Sequence, residues 1–334
     1  MDFTLKTYHQ LLDSLQNAGF FFQTYREFVE NSEVQISNLE VESSDSLQNL
    51  TREAQITPKG TLQSITKELQ PRKTRNHANT QPSQLLILRH NVDKRPQNSL
   101  RFAQIQKEKG IKGTYYFRMH PHSYHEEVIQ QIADLGHEIG YHYETMDSVV
   151  SGSGLRIPGV KVKCRKFAGE SPDESLSNHV NAAYEEFVKN LEKFRKIAEI
   201  KTISMHGSPM SPFDNRAIWQ KYDYKTLGIL AEPYFDLDFN QIYYITDTGR
   251  RWDGHLFNVR DKATKENPVT NKEFLKLRFH STFDLIKAIE QGKFPTKAML
   301  NFHPQRWNSN PYLWTKELIL QNAKNQVKRF LVKK

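Results

Sequence analysis

The chain has 334 residues, 37% of them hydrophobic, with a formal net charge of +9 and a pI near 9.3. No apolar run approaches the roughly 18 residues a membrane span needs. A single cysteine, Cys164, excludes an internal disulfide and any thiolate metal cluster. The length suits one large α/β domain or two smaller ones. The charge favours anionic partners such as nucleic acid, a phospholipid surface or a phosphate-bearing sugar carrier, and equally describes a solvated basic surface.

The N-terminus, MDFTLKTYHQLLDSL, starts acidic and reads as an amphipathic helix. It lacks the basic start and continuous apolar core of a secretory signal, so the chain reads as cytoplasmic. Residues 5–31 predict two short helices, with Tyr8, Leu11, Leu12 and Leu15 as an apolar stripe. Residues 33–83 are rich in Ser, Gln, Asn, Thr and Glu without sustained periodicity, and read as a flexible polar insertion; its basic patch, Pro71–His77, reads as solvated linker. The divisions are therefore N-terminal helices over 1–32, the insertion over 33–83 and a main domain over 84–334.

From Leu85 strands and helices alternate. LLILRH predicts a strand, followed by a helix near 98–109 that stops at Gly110. TYYFR (Thr114–Arg118) is the next strand, then a helix near 126–135 stopping at Gly136, then a strand over 138–144. A Gly-, Ser- and Lys-rich loop spans about 150–176, and a long helix over roughly 178–199 buries Val180, Ala183, Tyr184, Phe187, Leu191 and Phe194. Strands follow at 202–205 and 242–246, a helix near 283–290 and a strand at 298–302. Repeated βα order predicts a parallel sheet, open or closed into a barrel. The tail continues as a helix with Leu318, Ala323, Val327 and Phe330 near one side. That pattern predicts docking on the domain, and its basic end leaves membrane-surface contact open. No zinc-finger spacing, RNA-recognition signature or aromatic–glycine repeat supports a specific nucleic-acid partner.

Residues able to do chemistry fall at the C-terminal ends of these strands: Asn91 and Asp93, Arg118, His142 and Glu144, His206, Asp247 and His303. That is the face on which βα barrels assemble their sites. In LLILRHNVD an apolar run ends in polar residues of alternating face; Asn91 and Asp93 share a parity, so a pair at that spacing can hold a metal and an activated water. HEIGYHYE resembles the zincin motif HExxH, but its histidines are five residues apart. On a helix they would diverge by about 140°. Read as a strand, the segment puts Glu138, Gly140, His142 and Glu144 on one face, which makes His142 the credible ligand with Glu144 beside it; His137 reads as satisfying local hydrogen bonds. His206 sits in ISMHGSP where a strand ends, and His303 in LNFHPQRW, where an imidazole suits proton transfer to a leaving group. TDTGRRWDG supplies Asp247 to orient an imidazole, Arg250, and Trp252 as a flat face for a sugar ring. The run HPHSYH has no matching carboxylate and reads as a loop.

LRHNVD, TYYFR, LGHEIGYHYE, MHGSP, TDTGRRW and NFHPQRW occur in this order, and together they resemble the NodB-like polysaccharide deacetylases of carbohydrate esterase family 4, closest to a bacterial branch with an HDVD-type first motif. The resemblance covers roughly 85–330 and the N-terminal helices. It implies a distorted (β/α) barrel holding one divalent metal, usually zinc, on an Asp and two His. It also implies a first-motif Asp as base and a late-strand histidine as acid. Carried over, Asp93 and His142 are metal ligands, His303 is the late catalytic histidine and Asp247 its orienting aspartate. Arg118, Glu144, Arg250, Trp252, Arg306 and Trp307 are the substrate-binding candidates.

Two positions depart from that pattern. The second metal histidine normally follows the first by four residues, where this chain has Met146, a poor zinc ligand; the third ligand is then His206 or Glu144, with His206 preferred. The base position holds Asn91, which cannot accept a proton near neutral pH. The expected activity is metal-dependent hydrolysis of an N- or O-acylated sugar, such as a carrier-linked glycan precursor. Catalysis would be weakened unless Glu144 or Asp147 substitutes as base. The rivals are an inactive glycan-binding or regulatory homologue and, more distantly, a basic nucleic-acid-binding protein.

Overall fold

The computed structural model describes residues 1–34, 84–151, 172–207, 213–253 and 269–332. Most of the polar insertion, the basic patch at 71–77, most of the 150–176 loop and Cys164 lie outside the described residues, as do the side chains of Val327 and Phe330.

Among the described residues seven strands form one sheet in which every pairing is parallel: β1 (Phe21–Gln23), β2 (Leu85–Val92), β3 (Thr114–Phe117), β4 (Glu138–Tyr143), β5 (Ile203–Met205), β6 (Tyr243–Thr246) and β7 (Lys297–Phe302). Their order is β5-β4-β3-β2-β7-β6. Strand β2 is central and fully buried. Strand β7 takes one of its edges over Leu85–His90, while β1 (at Leu85–Ile87) and β3 (at Arg89–Val92) share the other. The two short helices expected over 5–31 are therefore separated by a strand: α1 (Leu5–Asn17) ends at Gly19, whose φ of +83° turns the chain into β1, and a second helix, α2, covers 25–34.

The remaining helices are α3 (Pro96–Glu108), α4 (Glu126–Asp134), α5 (Thr145–Ser151), α6 (Pro172–Arg195), α7 (Pro233–Asp236), α8 (Lys272–Lys276), α9 (Thr282–Glu290) and α10 (Pro311–Val332). The long helix thus starts earlier and stops sooner than its apolar periodicity over 178–199 predicts. Gly110 and Gly136 terminate α3 and α4 with φ of +68° and +89°, the positions at which the sequence places stops. Among the described side chains of α10, Gln321 and Asn325 are buried, with Asn325 donating to the Gly249 carbonyl, while Ile319 and Leu320 face solvent. No helix among the described residues is long and apolar enough to cross a membrane.

Side-chain alternation sorts the strands into two environments. Leu86, Leu88, Val92, Tyr115, Phe117, Ile139, Tyr141, Ile203, Leu300 and Phe302 join the large apolar core with residues of α1, α3, α4, α6 and α9. The opposite faces meet each other. Arg89 on β2 donates from Nη2 to Ser204 Oγ on β5 at 2.5 Å, although β3 and β4 lie between them. Three flat strand spacings would be about 14 Å, farther than an arginine reaches, so the sheet curls into a half-barrel with these residues inside. Gly140 makes room for that interior: a Cβ there would meet the Tyr116 ring at 2.3 Å, and Tyr116 reaches past it to hydrogen-bond Thr202 Oγ1 at 2.9 Å.

Candidate metal centre and active site

At the C-terminal end of the half-barrel the strands bring Asp93, His142 and His206 together. One ligand atom from each lies within 4.8 Å of the others, the one such group among the described residues. Asp93 directly follows β2. Its Oδ1 is 3.8 Å from His142 Nε2 and 3.8 Å from His206 Nε2, and is buried with no hydrogen-bond partner. His142 projects inward from β4, and its Nδ1–H donates to the Ser204 carbonyl at 2.8 Å, which leaves the Nε2 lone pair toward Asp93. Burial, reinforced by His206 and Arg89, holds this imidazole well below its usual pKa and so in the neutral form that binds metals. His206 follows β5 and is held by its backbone N–H on the Tyr143 carbonyl at 2.8 Å.

One carboxylate and two imidazoles are a donor set suited to zinc and its neighbours. Asp93 Oδ1 sits about half an ångström farther from each imidazole nitrogen than the about 3.3 Å separating ligands of a tetrahedral zinc site. The orphaned Oδ1 is the atom an ion would complete, so the residues fit a divalent metal. Met146, four residues after His142, is fully buried in the apolar core.

Glu144, the other candidate third ligand, is engaged elsewhere. Arg118 grips it with Nε–Oε1 at 3.0 Å and Nη2–Oε2 at 2.6 Å, and His206 Nδ1 is 3.1 Å from Oε2. Burial pushes the Glu144 carboxyl up, but His206 and Arg118 outweigh it and hold the pKa at about 2. Glu144 therefore orients His206 and is a poor proton acceptor near neutrality. Asp147, the other substitute base, is buried and accepts from Asn215 at 3.1 Å. Arg118 and Glu144, expected to bind substrate, bind one another.

His303 forms the other half of the site. Its Nδ1 lies 2.5 Å from Asp247 Oδ1 and its backbone N–H donates to Asp247 Oδ2 at 2.9 Å. Arg306 Nη1 and Trp307 Nε1 also donate to that carboxylate, at 2.9 and 2.7 Å. Burial alone would raise the Asp247 pKa; His303 and Arg306 bring it down to about 2. Held by Nδ1, the ring turns Nε2 to within 3.9 Å of Asp93 Oδ2.

Asn91 lies 3% exposed on the same inward face as Arg89. Its Oδ1 accepts from Arg89 Nε at 3.1 Å, so the amide turns its N–H₂ away from that contact. Toward Arg89 residue 91 is an acceptor, and as an amide it offers no carboxylate to take up a proton.

Three substrate-binding candidates are structural in this arrangement. Trp252 is 3% exposed, edge-on to Phe302 with its N–H on Thr282 Oγ1, so it has no face open to a sugar ring. Trp307 is buried against Phe3 behind Asp247, and Arg250 stacks on Trp314 at 4.6 Å and donates to its carbonyl. Bulky aromatics near a motif signal burial as readily as a platform. His137 accepts from Gly113 N and meets the Ala103 carbonyl, the local bonding expected of it. The HPHSYH run forms a turn anchored through Ser123, which bonds Arg118 N and the Val92 carbonyl.

Two residues escape the motif reading. Arg89 was detectable, because it shares the parity of Asn91 and Asp93. Gln305, whose Nε2 donates to Asp93 Oδ2 at 3.0 Å, has no signal in the sequence, since a short 3₁₀ turn over Pro304–Arg306 places it.

No family model matches the sequence, and no curated protein matches it. Among solved structures, a CE4 family pseudoenzyme from Bacillus anthracis superposes with a TM-score of 0.34 at 11% identity, covering 73% of this chain and 61% of that one. A family 4 carbohydrate esterase from Bacillus anthracis gives a TM-score of 0.30 at 12% identity, covering 72% of this chain and 76% of that one.

Proposed function

We propose that the chain is a metal-dependent hydrolase of an N-acylated sugar, of the polysaccharide deacetylase kind, with proton transfer assigned to His303. One observation carries this reading: an Asp–His–His set with an orphaned ligand oxygen faces, across 3.9 Å, a histidine locked by a buried aspartate. Asp93, His142 and His206 would hold the metal, zinc by their chemistry. When bound, such an ion polarises an acyl carbonyl and acidifies water.

The protein's own groups do the rest. Asp247 fixes the His303 tautomer and stabilises the charged ring, so Nε2 is the atom that takes up a proton and returns it to a departing amine. Asn91 donates to an oxygen of the reacting group and removes no proton. Glu144, held at about 2, leaves proton transfer to His303. A second reading rests on Asn91 itself: a pocket that binds an acylated glycan without turning it over.

Acetate release from N-acetylhexosamine oligomers, measured with zinc or cobalt, separates the two. The enzyme reading expects slow release by the native protein and none by Asp93→Ala. Release only by Asn91→Asp, with none from the native protein, establishes the binding reading. If neither protein releases acetate while both hold metal, the substrate class is wrong.

A further inference from the structure

We propose that Gln305 is a positioning residue that makes Asp93 a one-oxygen metal ligand and keeps it apart from His303. The inference rests on the metal-centre reading above. The two oxygens of Asp93 have different surroundings: Oδ1 sits 3.8 Å from both ligand imidazoles and bonds nothing, while Oδ2 accepts from Gln305 Nε2 at 3.0 Å. His303 Nε2 is 3.9 Å from that same Oδ2. If the Gln305 contact is removed, the carboxylate can rotate to chelate through both oxygens or close on His303, accepting from its protonated Nε2–H and holding back the proton the ring must hand on.

Gln305 is built for this contact and for little else. Its backbone is clamped by Asn98, whose Nδ2 donates to the carbonyls of Pro304 and Trp307 at 3.1 and 3.0 Å. The residue is 9% exposed, yet the far atom of its amide, Oε1, is buried without a partner. A side chain kept only for stability would be satisfied at both ends or apolar, because a buried unpaired carbonyl opposes folding. The contact with Asp93 is what the amide provides. It is a neutral donor on an ionised acceptor, the kind of outer partner that orients metal-bound carboxylates.

Zinc affinity by chelator competition, cobalt absorption and the melting temperature of the metal-free protein test this, on the native chain, Gln305→Met and Gln305→Glu. Gln305→Met should weaken zinc about 10–100-fold and alter the cobalt spectrum, with the metal-free melting temperature unchanged or raised. Gln305→Glu, which replaces the donor with a second acceptor, should move the cobalt spectrum as well. Native-like zinc affinity and cobalt spectrum in Gln305→Met would overturn the inference. So would a loss of affinity matched by a fall in metal-free stability, which marks a merely structural role. A native protein that binds neither ion overturns the metal reading itself, and this inference with it.

Discussion

Two carboxylates line the same curled sheet at opposite ends, Glu138 buried and Asp93 half-buried. Glu138, at the base of β4, gives Oε2 to Arg26 N–H and Thr114 Oγ1 at 3.0 and 2.7 Å and Oε1 to Thr202 Oγ1. Asp93, at the top, has one oxygen on Gln305 and one on nothing. Both oxygens of Glu138 are paired, whereas the buried Oδ1 of Asp93 has no partner. Because buried polar atoms in folded proteins are nearly always paired, the completed acid reads as architecture and the incomplete one as a place for something absent. The same contrast separates His90 from His142. His90 stacks on Tyr115 at 4.1 Å, meets the Thr114 carbonyl and Gln106 Nε2, and is held by burial at a pKa of about 3. His142 has one nitrogen fixed and the other turned to Asp93.

The largest effect should come from cutting the upper end at its proton carrier. His303→Ala should lower acetate release by about 10²–10⁴-fold while leaving zinc affinity near native, because His303 is not among the ligands. Asp247→Asn should lose activity as well, since an amide cannot stabilise the charged ring. If His303→Ala kept full turnover in a steady-state assay, the division between metal set and proton carrier would fail.

The upper end was legible in the sequence to the extent that strand alternation governs it. Asp93, His142 and His206 converge because each sits on or just past the inward face of a parallel strand, and strand parity is written in the chain. His303 follows for the same reason, sharing the parity of Asn301, whereas Asp247 has the parity of Tyr243 and Ile245, which face the apolar core, so alternation alone does not place it. Alternation does not reveal which polar residues satisfy one another. Arg118 and Glu144 look like free charges until β3 and β4 place them as partners, and Trp252 looks like a platform until Phe302 and Thr282 enclose it. Gln305 lies in a 3₁₀ turn with no period to read. Strand β1 is too short, at three residues, to show alternation between two helices.

The lower end should respond in stability and not in chemistry. Glu138→Ala leaves two hydroxyls and one backbone N–H without their acceptor, at a cost of about 3 kcal/mol. Urea unfolding of the metal-free protein would show it, with zinc affinity per folded molecule unchanged. A Glu138→Ala protein as stable as native would mean that the completed acid is not structural, and the contrast with Asp93 would lose its basis.

The smallest effect sharpens the comparison through pH. Glu232, beneath the site, is fully buried and caps α7, accepting from Met205 N–H at 2.9 Å and Tyr234 N–H at 2.5 Å. Burial raises its pKa from 4.5 to about 7, against the pull of those N–H groups, Arg89 and Arg216. A carboxyl whose pKa is higher folded than unfolded favours folding in its protonated form. Its contribution is full below pH 4.5 and is lost as the pH rises through 7. Asp247 has the opposite sign: held at about 2, it supports the fold above its unfolded pKa and fails only in strong acid. Between pH 5 and 8 Glu232 should therefore cost the native protein about 2 kcal/mol relative to Glu232→Gln, which does not titrate. Unfolding free energies of both proteins measured across that range should converge at the acid end and separate at the alkaline end. Parallel curves would show that Glu232 is already ionised in the fold, as fully paired as Glu138.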